Sequence, residues 1–153
     1  MYKTPSYLLK HEYLIPVSIH DTDAMGIVWH GNYIRYFESA REDFFKKLGY
    51  DYNAFYRENF AMPVTECHCC YRHPLKLTDQ NALIYVFLIS FDCKLEISYE
   101  IYTADHRHLC AYGHTQHVIT LNDSGELLFE LPPKLTLAIR QALQNINSTK
   151  DQA

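Results

Sequence analysis

Two aspartates stand just ahead of a helix start in the run His20-Asp21-Thr22-Asp23-Ala24-Met25-Gly26-Ile27-Val28-Trp29-His30-Gly31-Asn32. A helix N-terminus carries unsatisfied backbone N–H groups and partial positive charge, which can polarise a carbonyl. A nearby carboxylate can serve as the base or nucleophile that attacks it. The pairing points to acyl-transfer chemistry. An Asp with an ordinary pKa of about 4 is a weak base at neutral pH, so it must act by position. It either deprotonates a held water or attacks directly to form a mixed anhydride, and the residues leave both routes open.

The elements that must hold such a pair follow from periodicity. From Asn32 the apolar residues Tyr33, Phe37, Ala40, Phe44 and Leu48, with Ile34, Tyr36 and Phe45, recur at spacings of three and four, and Gly49 closes the helix. Its polar side is narrow (Arg35, Ser39, Glu42, Lys46), which predicts a sheet wrapped around the helix rather than touching one side. Residues 8–19 read as a first strand, with Pro16 marking an edge or an irregularity. After a linking region over 51–59, four β-rich stretches follow at roughly 60–72, 82–91, 93–103 and 109–121. In the third, Leu95, Ile97, Tyr99 and Ile101 alternate with Lys94, Glu96, Ser98 and Glu100, predicting one buried and one wet face. Pro132 and Pro133 precede a short helix carrying Leu135, Ala138, Ile139, Ala142 and Leu143. The expected organisation is α+β: an antiparallel sheet of about five strands around one long central helix, in a single domain over 1–147, with 148–153 a disordered tail.

Composition narrows the function. The chain has 153 residues, enough for one core without staples, and a formal net charge of −4, which argues against general nucleic-acid binding. The first sixteen residues are broken by Lys3, Lys10, His11 and Glu12, so they lack the apolar run of a secretory signal, and no stretch approaches a membrane span. The five cysteines are then expected as reduced thiols in a cytoplasmic protein, without membrane insertion.

The run from Asp21 to Tyr33, continued by Tyr36-Phe37-Glu38 and Ala40-Arg41, resembles the 4-hydroxybenzoyl-CoA thioesterase group of the hotdog fold and its Tol-Pal-associated acyl-CoA relatives. Weaker likeness continues through Ala111-Tyr112-Gly113-His114 and Leu131-Pro132. The resemblance implies that Asp23 is the catalytic carboxylate and that the backbone N–H of His30 donates to the thioester carbonyl. The His30 side chain is also implicated in many bacterial relatives. Trp29, Gly31, Asn32 and Tyr33 become the substrate-binding candidates, although Asn32 alone reads as a helix cap or first-turn residue, while Asp21 reads as turn structure. The substrate implied is an acyl-CoA or acyl-carrier thioester, with no cofactor and no metal, and the assembly a homodimer joined at sheet edges, pairing again into a homotetramer. One position departs: close bacterial relatives often carry Tyr four residues before the catalytic Asp, where this chain has Ile19, followed by His20.

Other constellations compete. Another branch of hotdog thioesterases draws its carboxylate from the central helix, which makes Glu38 the second candidate, against a structural pairing with Arg35 or Arg41. Cys67-His68-Cys69-Cys70, followed by His73, has a Cys-x-x-Cys spacing, but on a strand Cys67 and Cys69 face one way while His68 and Cys70 face the other. The plainer expectation is small buried cysteines on one sheet face. His106, His108, His114 and His117 read as solvent-facing or hydrogen-bonded strand histidines. Arg72, His73, Lys76 and Arg107 are the candidates for the CoA phosphates.

Overall fold

Alternation in the strand Leu95–Thr103 puts Leu95, Ile97, Tyr99 and Ile101 on the face that meets the long helix, each fully buried. The structure is a computed structural model that describes residues 1–150, with side-chain surroundings through Ser148. In chain order its strands are β1 (Leu9–Pro16), β2 (Phe60–Ala61), β3 (Val64–Tyr71), β4 (Asn81–Ser90), β5 (Leu95–Thr103), β6 (Leu109–His117), β7 (Ile119–Leu121) and β8 (Leu127–Leu128). Its helices are α1 (Asn32–Leu48), α2 (Tyr52–Arg57) and α3 (Pro133–Lys150). Five strands form one antiparallel sheet in the order β1-β4-β5-β6-β3, and β2-β7-β8 form a small second sheet.

The helix α1 spans the expected residues and ends at Gly49, whose φ of 81° is the left-handed conformation that glycine adopts at low cost. Tyr36, Phe37, Ala40 and Phe45 are fully buried against the sheet, and Phe37 stacks on Tyr99 of β5 at 4.3 Å between ring centres. Gly113 on β6 permits the close approach: a Cβ there would lie 2.1 Å from the carbonyl oxygen of His68 and 2.9 Å from the Phe37 ring. Any side chain at 113 would push α1 or β3 away.

Three expectations are corrected. Residues 51–59 are not merely a link, because Asp51 Oδ1 accepts from the Ala54 N–H and starts α2, which buries Ala54 and Phe55. The outer face of the sheet is not wet throughout. The N-terminal segment crosses it, with Tyr2 stacked on Tyr112, Tyr7 against Phe87 and Thr4 Oγ1 donating to Glu100 Oε1 at 2.6 Å, so Glu100 is buried together with Leu83, Tyr85 and Phe87. The last helix is long and continues through Ser148 to Lys150, so the tail expected from 148 is helical over its first three residues, while 151–153 lie outside the described residues.

Candidate active site

Between β1 and α1 the chain makes a 3-10 turn, Ile19–Asp21, that is tied down at its buried end. Asp21 accepts from the Ser18 N–H at 2.9 Å and the Tyr36 hydroxyl at 2.9 Å, and pairs with Arg35 of α1. Its backbone carbonyl takes the Trp29 N–H at 2.9 Å and the Asn32 side-chain amide at 2.8 Å. Asp21 is therefore the root of the turn, with every accessible oxygen engaged, and is only 7% exposed. Burial and the Asp21 carboxylate together raise the Tyr36 hydroxyl above its ordinary pKa, keeping it a proton donor to that carboxylate.

From this root the chain loops out and back. Thr22 and Val28 bridge, the Asp23 N–H donates to Ile27 O at 2.8 Å, and Gly26 turns the chain with φ at 71°. The far side is held by residues 75–77: Val28 N–H donates to Leu75 O at 2.8 Å and Leu77 N–H to Gly26 O at 3.1 Å. Asp23 sits at the exposed tip, where its Oδ1 accepts from Met25 N–H at 2.8 Å and Ile27 N–H at 3.3 Å. Both bonds are backbone donations to one oxygen, which orient the carboxylate without burying it. Ile19 and Met25 are exposed as well.

The structure places the remaining candidates around the start of α1. Gly31 is the helix cap residue and Asn32 the first helical position, its amide spent on Asp21 O rather than on capping. A Cβ at Gly31 would collide with the Trp29 ring at 2.1 Å, so glycine lets the exposed indole fold over the helix start. His30 is exposed, with Trp29 at 4.8 Å and Tyr71 edge-on at 6.3 Å between ring centres. Tyr71, at the end of β3, donates its hydroxyl to His30 O at 2.9 Å. Tyr33 is buried, accepts the Leu75 N–H at 3.2 Å, and has its hydroxyl pushed up to about 12 chiefly by burial. It holds the 75–77 segment from behind rather than facing solvent. Arg35, Tyr36, Tyr71 and Leu75, which complete this frame, have no signature near Asp23 in the sequence because each arrives from another element.

Glu38 lies elsewhere. It pairs with Arg41, whose guanidinium is buried and also donates to the Tyr52 and Tyr99 hydroxyls at 3.0 and 3.2 Å. A cavity of about 260 Å³ opens on this group, walled by Phe55, Tyr56, Phe60 and Met62, and neither Asp23 nor His30 lines it. Among the phosphate candidates, Lys76 is exposed next to the turn through its bridge with Ile27. Arg72 instead donates to Tyr112, His73 stacks on His108, and Arg107 pairs with Asp105. His106, His108 and His114 are exposed, whereas His117 is fully buried against Thr115 Oγ1 at 2.8 Å, and burial lowers its pKa to about 4. The cysteines of β3 are not the buried set expected: Cys67 is exposed and Cys69 and Cys70 are half-buried, because β3 is an edge strand.

A five-stranded antiparallel sheet wrapped around one helix, with a polar turn feeding that helix, defines the hotdog class. Residues 17–141 match the thioesterase-like superfamily, and the chain belongs to that family. It is similar to a candidate esterase of Aquifex aeolicus (strain VF5), 38% identical over 63 residues that cover 41% of this chain and 49% of that protein. A candidate acyl-CoA thioesterase of Bacillus subtilis (strain 168), YneP, is 30% identical over 89 residues, covering 58% of this chain and 64% of that one. Among solved structures, a DHNA-CoA thioesterase from Staphylococcus aureus superposes with a TM-score of 0.79 at 24% identity, over 90% of this chain and 95% of that one. This last likeness is one of fold.

Proposed function

We propose that the protein hydrolyses the thioester of a small or medium aliphatic or aromatic acyl-CoA, or of an acyl-carrier protein. Asp23 acts as base or nucleophile, and the His30 backbone N–H, with its side chain nearby, polarises the carbonyl. The observation that carries this reading is the division of labour between two neighbouring carboxylates: Asp21 is consumed in holding the turn, and Asp23 is presented at its tip. A carboxylate oriented by backbone N–H groups and open to solvent can hold a water or meet an acyl carbon. Trp29 and Gly31 shape the entry beside it, Asn32 and Tyr33 brace the turn from behind, and Lys76 offers a charge to the CoA phosphates.

The edge strand supports a homodimer as the working unit, and two such dimers make a tetramer. Antiparallel pairing of β3 with its copy reverses the strand, so the Tyr71 end, which holds His30, meets the other subunit's Val64 end and the cavity beyond it. The acyl group then lodges in the partner's cavity above Arg41 and Glu38, while the thioester lies at Asp23. Five free thiols suit a reducing cytoplasm.

Thiol release from a panel of acyl-CoAs tests the assignment. Asp23→Asn should lower turnover by about 10²–10⁴-fold with substrate binding kept. Unchanged turnover would remove Asp23 from the mechanism, and binding without turnover in the native protein would leave an acyl-thioester-binding protein instead.

A further inference from the structure

The motif Cys67-His68-Cys69-Cys70 has no part in hydrolysis as proposed, yet the strand sorts its donors. Glu66, His68 and Cys70 pair with Gln116, His114 and Tyr112 of β6 and share the outer face, while Cys67 and Cys69 turn to the helix side. On that outer face Cys70 Sγ stands 3.8 Å from His68 Nε2. In a tetrahedral zinc site, with Zn–S of about 2.3 Å and Zn–N of about 2.0–2.1 Å, the S···N edge is about 3.6 Å. The two donors already hold that spacing. Among the described residues no group of three or more His, Cys, Asp or Glu in one chain is placed to hold a metal. One protomer supplies only part of a site.

A second copy supplies the rest. Residues directly opposed across an antiparallel pair lie on the same face, so a two-fold axis relating β3 to itself must pass through a residue and not between two. The β3 ladder is regular from Glu66 to Tyr71, beyond a bulge between Val64 and Glu66. An axis through His68 pairs the stretch Glu66–Cys70 with itself and sets Glu66 of the partner subunit directly across from Cys70. An axis through Cys67 sets it directly across from His68. Opposed Cβ atoms lie about 4.5–5.5 Å apart, within reach of a shared ion. In both registers a carboxylate joins the thiol–imidazole pair, and the two-fold repeats the site.

We propose that the edge-paired dimer binds two divalent cations of the zinc class, each held by His68, Cys70 and Glu66 of the partner subunit, with the fourth position left to water. An N, S and O donor set of this kind suits borderline-soft Zn²⁺, and Cys70 binds as the thiolate, releasing its proton to solvent. Because each ion takes ligands from both chains, metal binding tightens the dimer. The inference rests on the edge-paired dimer proposed above.

The test is titration of the EDTA-stripped full-length protein with Co²⁺ and Zn²⁺, with sedimentation velocity on the same samples. The expected result is two ions per dimer, a thiolate-to-cobalt charge-transfer band that Cys70→Ser abolishes, and a dimer tightened by Zn²⁺. His68→Gln should weaken binding by more than the about 10–100-fold that loss of an outer partner costs, and Glu66→Gln by about tenfold or more. A dimer that binds neither ion, a band that survives Cys70→Ser, or a Glu66→Gln variant that binds as well as the native protein overturns the proposal. Acyl-CoA turnover by Cys70→Ser separates the two readings: a dimer that hydrolyses substrate and ignores metal sinks only this inference, whereas a monomeric chain sinks both.

Discussion

Asp21 and Asp23 are two residues apart, identical in chemistry and opposite in circumstance. Asp21 is enclosed by Ser18, Arg35 and Tyr36, and Asp23 meets only the N–H groups of its own loop. The same contrast separates two histidines, with His117 fully buried and His30 exposed beside Trp29. Enclosure turns a polar group into a stability element, because removing it leaves buried partners short of a hydrogen bond that water does not replace. Exposure frees a group to meet substrate. The buried members of these pairs should therefore register in melting temperature and the exposed members in turnover.

The largest effect expected is at the tip. Asp23→Asn should reduce kcat by about 10²–10⁴-fold while the melting temperature moves by less than about 2 °C, since two backbone donations to an exposed oxygen are largely kept by the amide. A variant that unfolds early and retains its kcat would invert the contrast.

At the root, Asp21→Ala strands the buried Tyr36 hydroxyl and the Ser18 N–H, and removes the anion paired with Arg35. Because Arg35 is half exposed and keeps its solvation, the loss comes mainly from the buried Tyr36 hydroxyl and the half-buried Ser18 N–H, about 3 kcal/mol in denaturant unfolding. An equal loss in Asp23→Ala would erase the distinction between root and tip.

His117 sharpens the comparison through pH. Its folded pKa of about 4 lies below the ordinary 6.5, so the unfolded chain takes up a proton first as pH falls. The stability tied to neutral His117 is fully present above about pH 6.5 and is lost progressively as pH drops towards 4, reaching about 3 kcal/mol. Melting curves across that window should fall more steeply for the native protein than for His117→Gln. Parallel curves would mean that His117 is accessible to protons in the folded state.

Much of this arrangement could be read from the chain before any coordinates. The α1 boundaries follow from three-and-four spacing and a left-handed Gly49, and the β5 faces from strict alternation, because both patterns are set by one buried surface acting over a whole element. The long run into Tyr33 alone singled out Asp23 as the candidate; Asp21 and Asp23 look alike to local turn chemistry, and what distinguishes their surroundings is Arg35 and Tyr36 one helical turn into α1. The wet outer face failed as an expectation because the N-terminal segment covers it. The unbroken apolar run of β4 from Ala82 to Ile89 was the available sign that both faces are covered. The short helix α2 was lost in a polar link although Asp51, three residues before Ala54, is a capping signal.

The finest test lies between root and tip, at Tyr71. Its hydroxyl donates to His30 O, so the edge strand fixes the His30–Gly31 peptide, the neighbour of the Trp29–His30 peptide whose N–H is assigned to the carbonyl. Tyr71→Phe keeps the ring against Tyr33 and removes one neutral hydrogen bond at an exposed site, about 1 kcal/mol or less in stability. If the bond only packs the surface, kcat and KM stay as they are. If it aligns the donor, kcat falls by about three- to tenfold while KM is steady, because a donor aimed at the developing oxyanion acts on the transition state and not on the bound substrate. A rise in KM alone would place Tyr71 in the entry to the site, and the division between turn and edge strand would have to be redrawn there.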